Sequence, residues 1–451
     1  MTVGRRDRLL VFGIALAARL LVVGWAATKI PPAADGTYYH LLATRLAAGQ
    51  GYTWLWPDGV VTYAAHYPVG YPALLAIPYA LFGAKPLLGM LLNALLGAAS
   101  ALATLAVLDG STPRRWALAG ALAVGLHPAL VPYTAALMTE GATASLLTIA
   151  AALASRGRQA VRSLPWLTAA GLVMGVATLV RPQSLLLAPL FGLLAAPSVT
   201  PIGRRVLGGA TVAALALVVC LPWTARNCAR MERCALVSVN GGWNLAIGTQ
   251  TTDGAWAPID VPEPCRTVFQ EAAKDACFGR EALAEIRAHP LAWLARAPRK
   301  LRATFDYLGA APWYLHAANP AAFPERAKHA LGAFETLVVR LLLAAALVST
   351  MRLPGGARRA RRVVGVLGLV ACVIIPGALA YLACAIGLVL VGPRALTRAP
   401  VVVPVTAAVV LATALTHAVF FGSGRYGLVV VPFVTALAFV RPQRDPLQEA
   451  A

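Results

Sequence analysis

Residues 35–72 read DGTYYHLLATRLAAGQGYTWLWPDGVVTYAAHYPVGYP. The stretch follows the first membrane-length apolar run and combines a carboxylate, a histidine and many aromatics. Tyr38, Tyr39, Leu42 and Leu46 recur at helical spacing after Asp35 and Gly36, and Gly49 and Gly51 end that run. A Pro-rich turn around His66 and Tyr71 follows. The pattern predicts a helix lying on a membrane surface rather than crossing it. The chemistry is expected here, beside the bilayer.

The rest of the chain supplies that bilayer setting. Its 451 residues are 59% hydrophobic and 13% charged, with a mean hydropathy of +0.69, which excludes an ordinary soluble domain. The net charge of +21 does not point to nucleic acid, because the arginines cluster in short links between apolar runs, as orientation in a bilayer requires. Arg5, Arg6 and Arg8 precede an apolar run of spanning length with no clear small-residue cleavage site, so a cleavable leader is not expected.

Apolar runs near 9–28, 86–108, 116–134, 140–154, 166–181, 183–197, 205–223, 331–351, 363–376, 377–392, 400–421 and 425–440 predict an all-α polytopic membrane protein with about twelve spans. The apolar residues of 363–392 are broken at Pro376-Gly377, and a hairpin there keeps the flanking arginines on one side. Alternation places Arg114/Arg115, Arg156/Arg158/Arg162, Arg204/Arg205, Arg352/Arg358/Arg359/Arg361/Arg362, Arg394/Arg398 and Arg441/Arg444 with the N-terminal cluster on the cytoplasmic side. Both termini are then cytoplasmic. The same parity makes 73–83 peripheral or re-entrant. Apart from Asp7, Asp109, Asp445 and Glu449, the acids fall outside or at the outer edge.

Three parts are expected: 1–223 as an N-terminal membrane module with an outer loop at 29–85, 224–330 as an extracytoplasmic loop domain, and 331–451 as C-terminal membrane helices. The loop domain carries NGGWNLAIG at 240–248, a predicted helix at 279–289 and a basic helix at 291–306 of headgroup-level composition. Cys228, Cys234, Cys265 and Cys277 all fall in it, where an oxidising compartment permits two disulfides. Of three connectivities, the local one, Cys228–Cys234 with Cys265–Cys277, is favoured. Cys220, Cys372 and Cys384 sit in apolar segments as small hydrophobes. The cysteine spacing fits zinc patterns poorly.

Asp35 suits a helix N-cap, and the same carboxylate could accept a proton from an acceptor hydroxyl. Glu140, in ALMTEGATASLL, enters the membrane on the same face, where an acid faces a cavity, a partner or a functional site, or else complements a helix N-terminus. His66 is a structural hydrogen-bonder or a substrate contact. Lys85, Arg181, Arg226 and Arg425 stand at the outward ends of other segments. Singly they are interfacial anchors; together they could hold a phosphate-linked substrate.

These residues, in order, resemble the polytopic C-type glycosyltransferases. The shared pattern runs from an Asp in the first outer loop through Gly-Gln-Gly-Tyr, Tyr-Pro-Val-Gly-Tyr-Pro, Thr-Glu, Arg-Pro and Pro-Trp-x-x-Arg-Asn to Asn-Gly-Gly-Trp-Asn-Leu and Arg-Tyr. It is most similar to the bacterial branch related to protein O-mannosyltransferases (glycosyltransferase family 39) and aminoarabinose transferases. The resemblance implies an enzyme of a bacterial cell membrane, active on the outer face with a sugar carried on polyprenyl phosphate and a lipid, glycan or protein acceptor. It implies Asp35 and Glu140 as catalytic candidates. Around them His66, Tyr71, Lys85, Arg181, Arg226, Asn244, Arg425 and Tyr426 are expected as substrate-binding candidates from their positions and chemistry. Asp35 is followed by Gly36-Thr37, not by the second acid of the protein mannosyltransferases, so neither a protein acceptor nor a divalent metal cofactor is supported. A transporter or flippase of a lipid-linked sugar would use the same cations. Against it, no repeated halves are apparent and acids are scarce within the spans.

Overall fold

The computed structural model describes residues 3–196, 200–374 and 377–441; Pro376, Arg444, Asp445 and Glu449 lie outside the described residues. After α1 (Arg5–Ala26), the outer stretch folds as α2 (Asp35–Ala47), an antiparallel hairpin of β1 (Thr53–Leu55) and β2 (Val61–Tyr63), and α3 (Gly70–Phe82). A first bundle continues through α4 (Pro86–Leu108), α5 (Arg114–Gly125), α6 (Thr139–Gln159), α7 (Leu164–Val180), α8 (Ala188–Leu194) and α9 (Ile202–Arg230). The long loop holds α10 (Gly241–Gln250), α11 (Glu271–Ala288), α12 (Pro290–Ala295), α13 (Ala297–Phe305) and α14 (Ala310–Ala318). A second bundle comprises α15 (Glu325–Arg352), α16 (Arg358–Ile374), α17 (Gly377–Val389), α18 (Pro393–Arg398), α19 (Val402–Val419), α20 (Gly424–Gly427) and α21 (Val431–Ala438).

Among the described residues, α1, α4, α9, α15 and α19 are long and apolar enough to cross a membrane, which makes this a multi-pass membrane protein. The span expected at 140–154 is one continuous helix, α6, and several of the others are shorter or broken. The run at 116–134 stops being helical at Gly125, ahead of Pro128 and Pro132. A helix end within a bilayer needs a donor. Arg19, 2% exposed, supplies it, with Nη1 2.5 Å from the Gly125 carbonyl. Gly97 makes room, since a Cβ there would sit 2.1 Å from Arg19 Nε. The run at 183–197 opens as a 3-10 turn over Pro182–Leu187 before α8. At 363–392 the chain forms two helices, α16 and α17, packed on each other. α3 has 13 residues, roughly 20 Å at an α-helical rise, too short to span a hydrocarbon core of ~30 Å.

α7 packs between α6 and α9, α4 contacts α1, α5 and α6, and α21 ties α15 to α5 and α6. Lipid tails give helices no hydrophobic reason to associate, so close approach of small residues does the work. Cβ atoms at Gly171 and Gly175 would lie 2.6 Å from Leu215 Cβ and 2.4 Å from Val219 Cβ, so α7 and α9 meet at near-backbone distance. Two acids expected on the inner side are neutralised there: Asp7 pairs with Arg114 at 2.5 Å and Asp109 with Arg156 at 3.8 Å.

In the loop region Cys228 bonds to Cys234 and Cys265 to Cys277, and the latter pair sits in a small core with Phe278 and Trp243. α11 begins eight residues before the expected 279. The basic helix expected at 291–306 is split at Arg296, ahead of Pro298, into α12 and α13.

Gly70 tests the docking of the outer stretch on the bundle. A Cβ there would lie 2.4 Å from backbone atoms of Leu179 and Val180, one residue before Arg181. Gly70→Ala should lower the thermal unfolding temperature by several degrees through an overpacking cost of about 1–3 kcal/mol. Gly13→Ala, with nothing within 4 Å of its Cβ, should leave that temperature unchanged.

Candidate active site

α6 begins, and α7 and α19 end, around one cavity of about 1830 Å³, with α2 and the long loop forming its outer wall. Asp35 is the first residue of α2, not its cap: Ala34 holds the cap position with φ 50 and no side-chain cap bond forms. A positive φ at a non-glycine residue costs energy and persists only where surroundings enforce it. The enforcement is visible in Tyr314, whose hydroxyl accepts the Ala33 N–H at 3.1 Å and would lie 2.8 Å from a Cβ at Gly36.

Freed from capping, the Asp35 carboxylate turns to the cavity. Its Oδ2 accepts from Arg425 Nη1 at 2.6 Å and its Oδ1 from the Tyr67 hydroxyl at 3.2 Å. Glu140, 2% exposed in the first turn of α6, stands on the other side of the same arginine. Its Oε1 is 3.6 Å from Arg425 Nε and 3.1 Å from Arg181 Nη1, while Oε2 accepts from the Tyr133 hydroxyl at 2.9 Å. Tyr426 completes the group: its ring lies 4.7 Å from the Arg181 guanidinium and stacks on His417 at 4.2 Å. Two carboxylates and two guanidiniums thus balance in charge, and each acid also accepts from a phenol.

His66 lines the cavity farther out, edge-on to Trp243 at 5.7 Å. Burial pushes its imidazole below the ordinary value, an effect that Glu271, Asp275 and Asp35 partly oppose. Burial pushes the Asp275 carboxyl up, while the Trp243 N–H it accepts at 2.8 Å works the other way. Asn244 lines the cavity one residue beyond Trp243.

Three candidates do not reach this cavity. Tyr71 is fully buried and donates to Asn93 Oδ1 at 3.0 Å; the Asn93 amide then holds the carbonyls of Thr134 and Ala136. It therefore secures the turn that presents Glu140. Lys85 is the exposed N-cap residue of α4. Arg226 spends its donors on the carbonyls of Ala64 and Tyr52, at 2.8 and 2.7 Å, and lies over Trp223, pinning the outer stretch to α9.

Sequence reasoning missed Tyr133, His417 and Glu271. Glu271 takes the N–H groups of Ala65 and His66, at 2.6 and 3.0 Å, and so clamps the stretch around His66 to the loop region. None of the three stands in a motif; Tyr67, adjacent to His66 in a Pro-rich turn, carried the only local signal. Among the described residues no group of three or more His, Cys, Asp or Glu side chains is placed to hold a metal ion.

No family model matches the chain, and no curated protein sequence matches it. Among solved structures it is similar to ArnT from Cupriavidus metallidurans bound to undecaprenyl phosphate, at 16% identity and TM-score 0.42, over 96% of this chain and 77% of that one. It is also similar to the archaeal oligosaccharyltransferase AglB from Archaeoglobus fulgidus in complex with an inhibitory peptide and a dolichol-phosphate, at 14% identity and TM-score 0.45. That match covers 96% of this chain and 50% of the archaeal one, so this chain spans half of its length.

The buried imidazole of His66 gives a pH test. Its depressed folded value means that the stability it contributes is present above the unfolded value of about 6.5 and is lost as pH falls toward the folded one. Unfolding temperature measured between pH 7.5 and pH 5 should therefore fall less steeply for His66→Gln than for the parent protein.

Proposed function

We propose that the protein is a membrane glycosyltransferase that moves a sugar from a polyprenyl-phosphate carrier to a lipid, glycan or protein acceptor on the outer face of a bacterial cell membrane. The observation that carries this is Arg425 placed between Asp35 and Glu140 at the wall of a large cavity, where spanning helices end. Two guanidiniums suit the bidentate capture of a phosphate, and the carrier's apolar tail would lie along the helices below.

In the reaction, the acceptor O–H or N–H attacks the anomeric carbon as the bond to the phosphate oxygen breaks. The electron pair leaves with polyprenyl phosphate, whose added charge falls to Arg425 and Arg181. The acceptor proton passes to Asp35. In the resting structure Arg425 holds the Asp35 carboxylate, and a bound phosphate would compete for that guanidinium. Glu140 keeps Arg425 and Arg181 in place during the exchange. Attack opposite the phosphate inverts the anomeric centre.

Purified protein given a polyprenyl-phosphate sugar should release or transfer the sugar. Asp35→Asn should reduce turnover by roughly 10²–10⁴-fold, the usual worth of a general base. Arg425→Gln should impair donor binding as well as turnover. Unchanged activity in Asp35→Asn would remove its assignment as base, and product NMR showing retention would exclude single displacement.

A further inference from the structure

A second cavity, of about 670 Å³, opens at the other end of the molecule. α6 measures the separation. Glu140 belongs to the first site and Arg158 lines the second, 18 residues later, or roughly 27 Å along the helix. That is close to a hydrocarbon thickness of ~30 Å. The second cavity therefore lies about one membrane thickness from the first, between the turn after α4, the end of α6, the turn after α15 and the segment around α18.

Its chemistry is that of an anion site. Arg158 and Arg398 contribute guanidiniums, and Ser111, Ser155 and Gln159 contribute short polar groups. The one carboxylate in the lining, Asp109, is held by Arg156 at 3.8 Å. Arg158 is aimed by a 2.6 Å bond from Nη1 to the Ala399 carbonyl, which fixes the guanidinium between the two helix bundles. The remaining wall is apolar, including Leu353, Val391 and Val401. On α17, which ends just before Val391, Ile386 and Val389 are 47% and 48% exposed.

We propose that this cavity binds the phosphate-bearing headgroup of an anionic phospholipid from the leaflet opposite the candidate active site. Guanidiniums in a cleft between membrane helices suit a lipid phosphate, and the apolar remainder of the wall suits the upper part of the acyl chains, which a soluble anion lacks. The headgroup joins α6 to the α18 segment and so holds the two bundles together. This inference does not depend on the transferase reading.

The test uses the full-length protein in detergent, with dioleoyl phosphatidylglycerol, dioleoyl phosphatidylcholine and inorganic phosphate as separate probes. Binding is read by native mass spectrometry and by the shift in unfolding temperature. The parent protein should retain phosphatidylglycerol in preference to phosphatidylcholine and be stabilised by it. Arg398 is exposed, so Arg398→Gln leaves the fold intact. It should weaken phosphatidylglycerol binding about tenfold, the value of one charge-assisted hydrogen bond, and Arg398→Glu should weaken it further. Arg362→Gln, an exposed arginine outside the cavity lining, should change nothing. Undiminished lipid preference in both Arg398 variants would overturn the site, as would an equal loss in Arg362→Gln. Inorganic phosphate stabilising the protein as well as the lipid does would overturn the lipid assignment.

Discussion

One guanidinium holds the outer face together. Arg425 lies 390 residues from Asp35 in the chain, and it bridges that residue to Glu140, so three distant segments converge on one side chain. Glu140 is buried, and a charge removed from water is costly unless it is matched, as it is here by Arg425 and Arg181. The same constraint explains why the supporting cast is so polar. Tyr314, Tyr71 and Asn93 use their hydrogen bonds to secure the backbone turns from which Asp35 and Glu140 project.

The site also depends on helices that stop in the right places. α5 ends before the next segment reaches the outer face, and its last carbonyls need partners, because no water is available inside a bilayer. Arg19 meets that need from α1. The segment that follows, with a 3-10 turn at Pro132–Ala135, then brings the Tyr133 hydroxyl to Glu140. α7 likewise stops at Val180, so that Arg181 turns into the cavity. Glycines set these heights: Gly70 docks on the end of α7, and Gly171 and Gly175 let α7 and α9 close up.

Much of the architecture was legible because membrane segments advertise themselves. The apolar runs matched helices in type, and 73–83, which arginine parity kept from counting as a span, falls in a helix of 13 residues. Helix ends were less legible. Pro128 and Pro132 signalled a break in 116–134, but apolar composition outweighed them in a reading based on hydropathy. In the candidate site, acids and cations at the outward ends of helices could be listed from the sequence, while their partners could not. Lys85, Arg226 and Arg425 look alike there. The structure sends the first to the surface, the second to backbone carbonyls, and the third to Asp35 and Glu140.

What the sequence determined by itself was the solvent. Its hydropathy requires a bilayer, and its acids are scarce along the apolar runs. These follow from composition along the chain, which local sequence fully contains. The tertiary structure decided which charges neutralise which. That choice depends on contacts between residues hundreds of positions apart, and no local pattern encodes the meeting of Asp35, Glu140, Arg181 and Arg425 in one charge-balanced cluster.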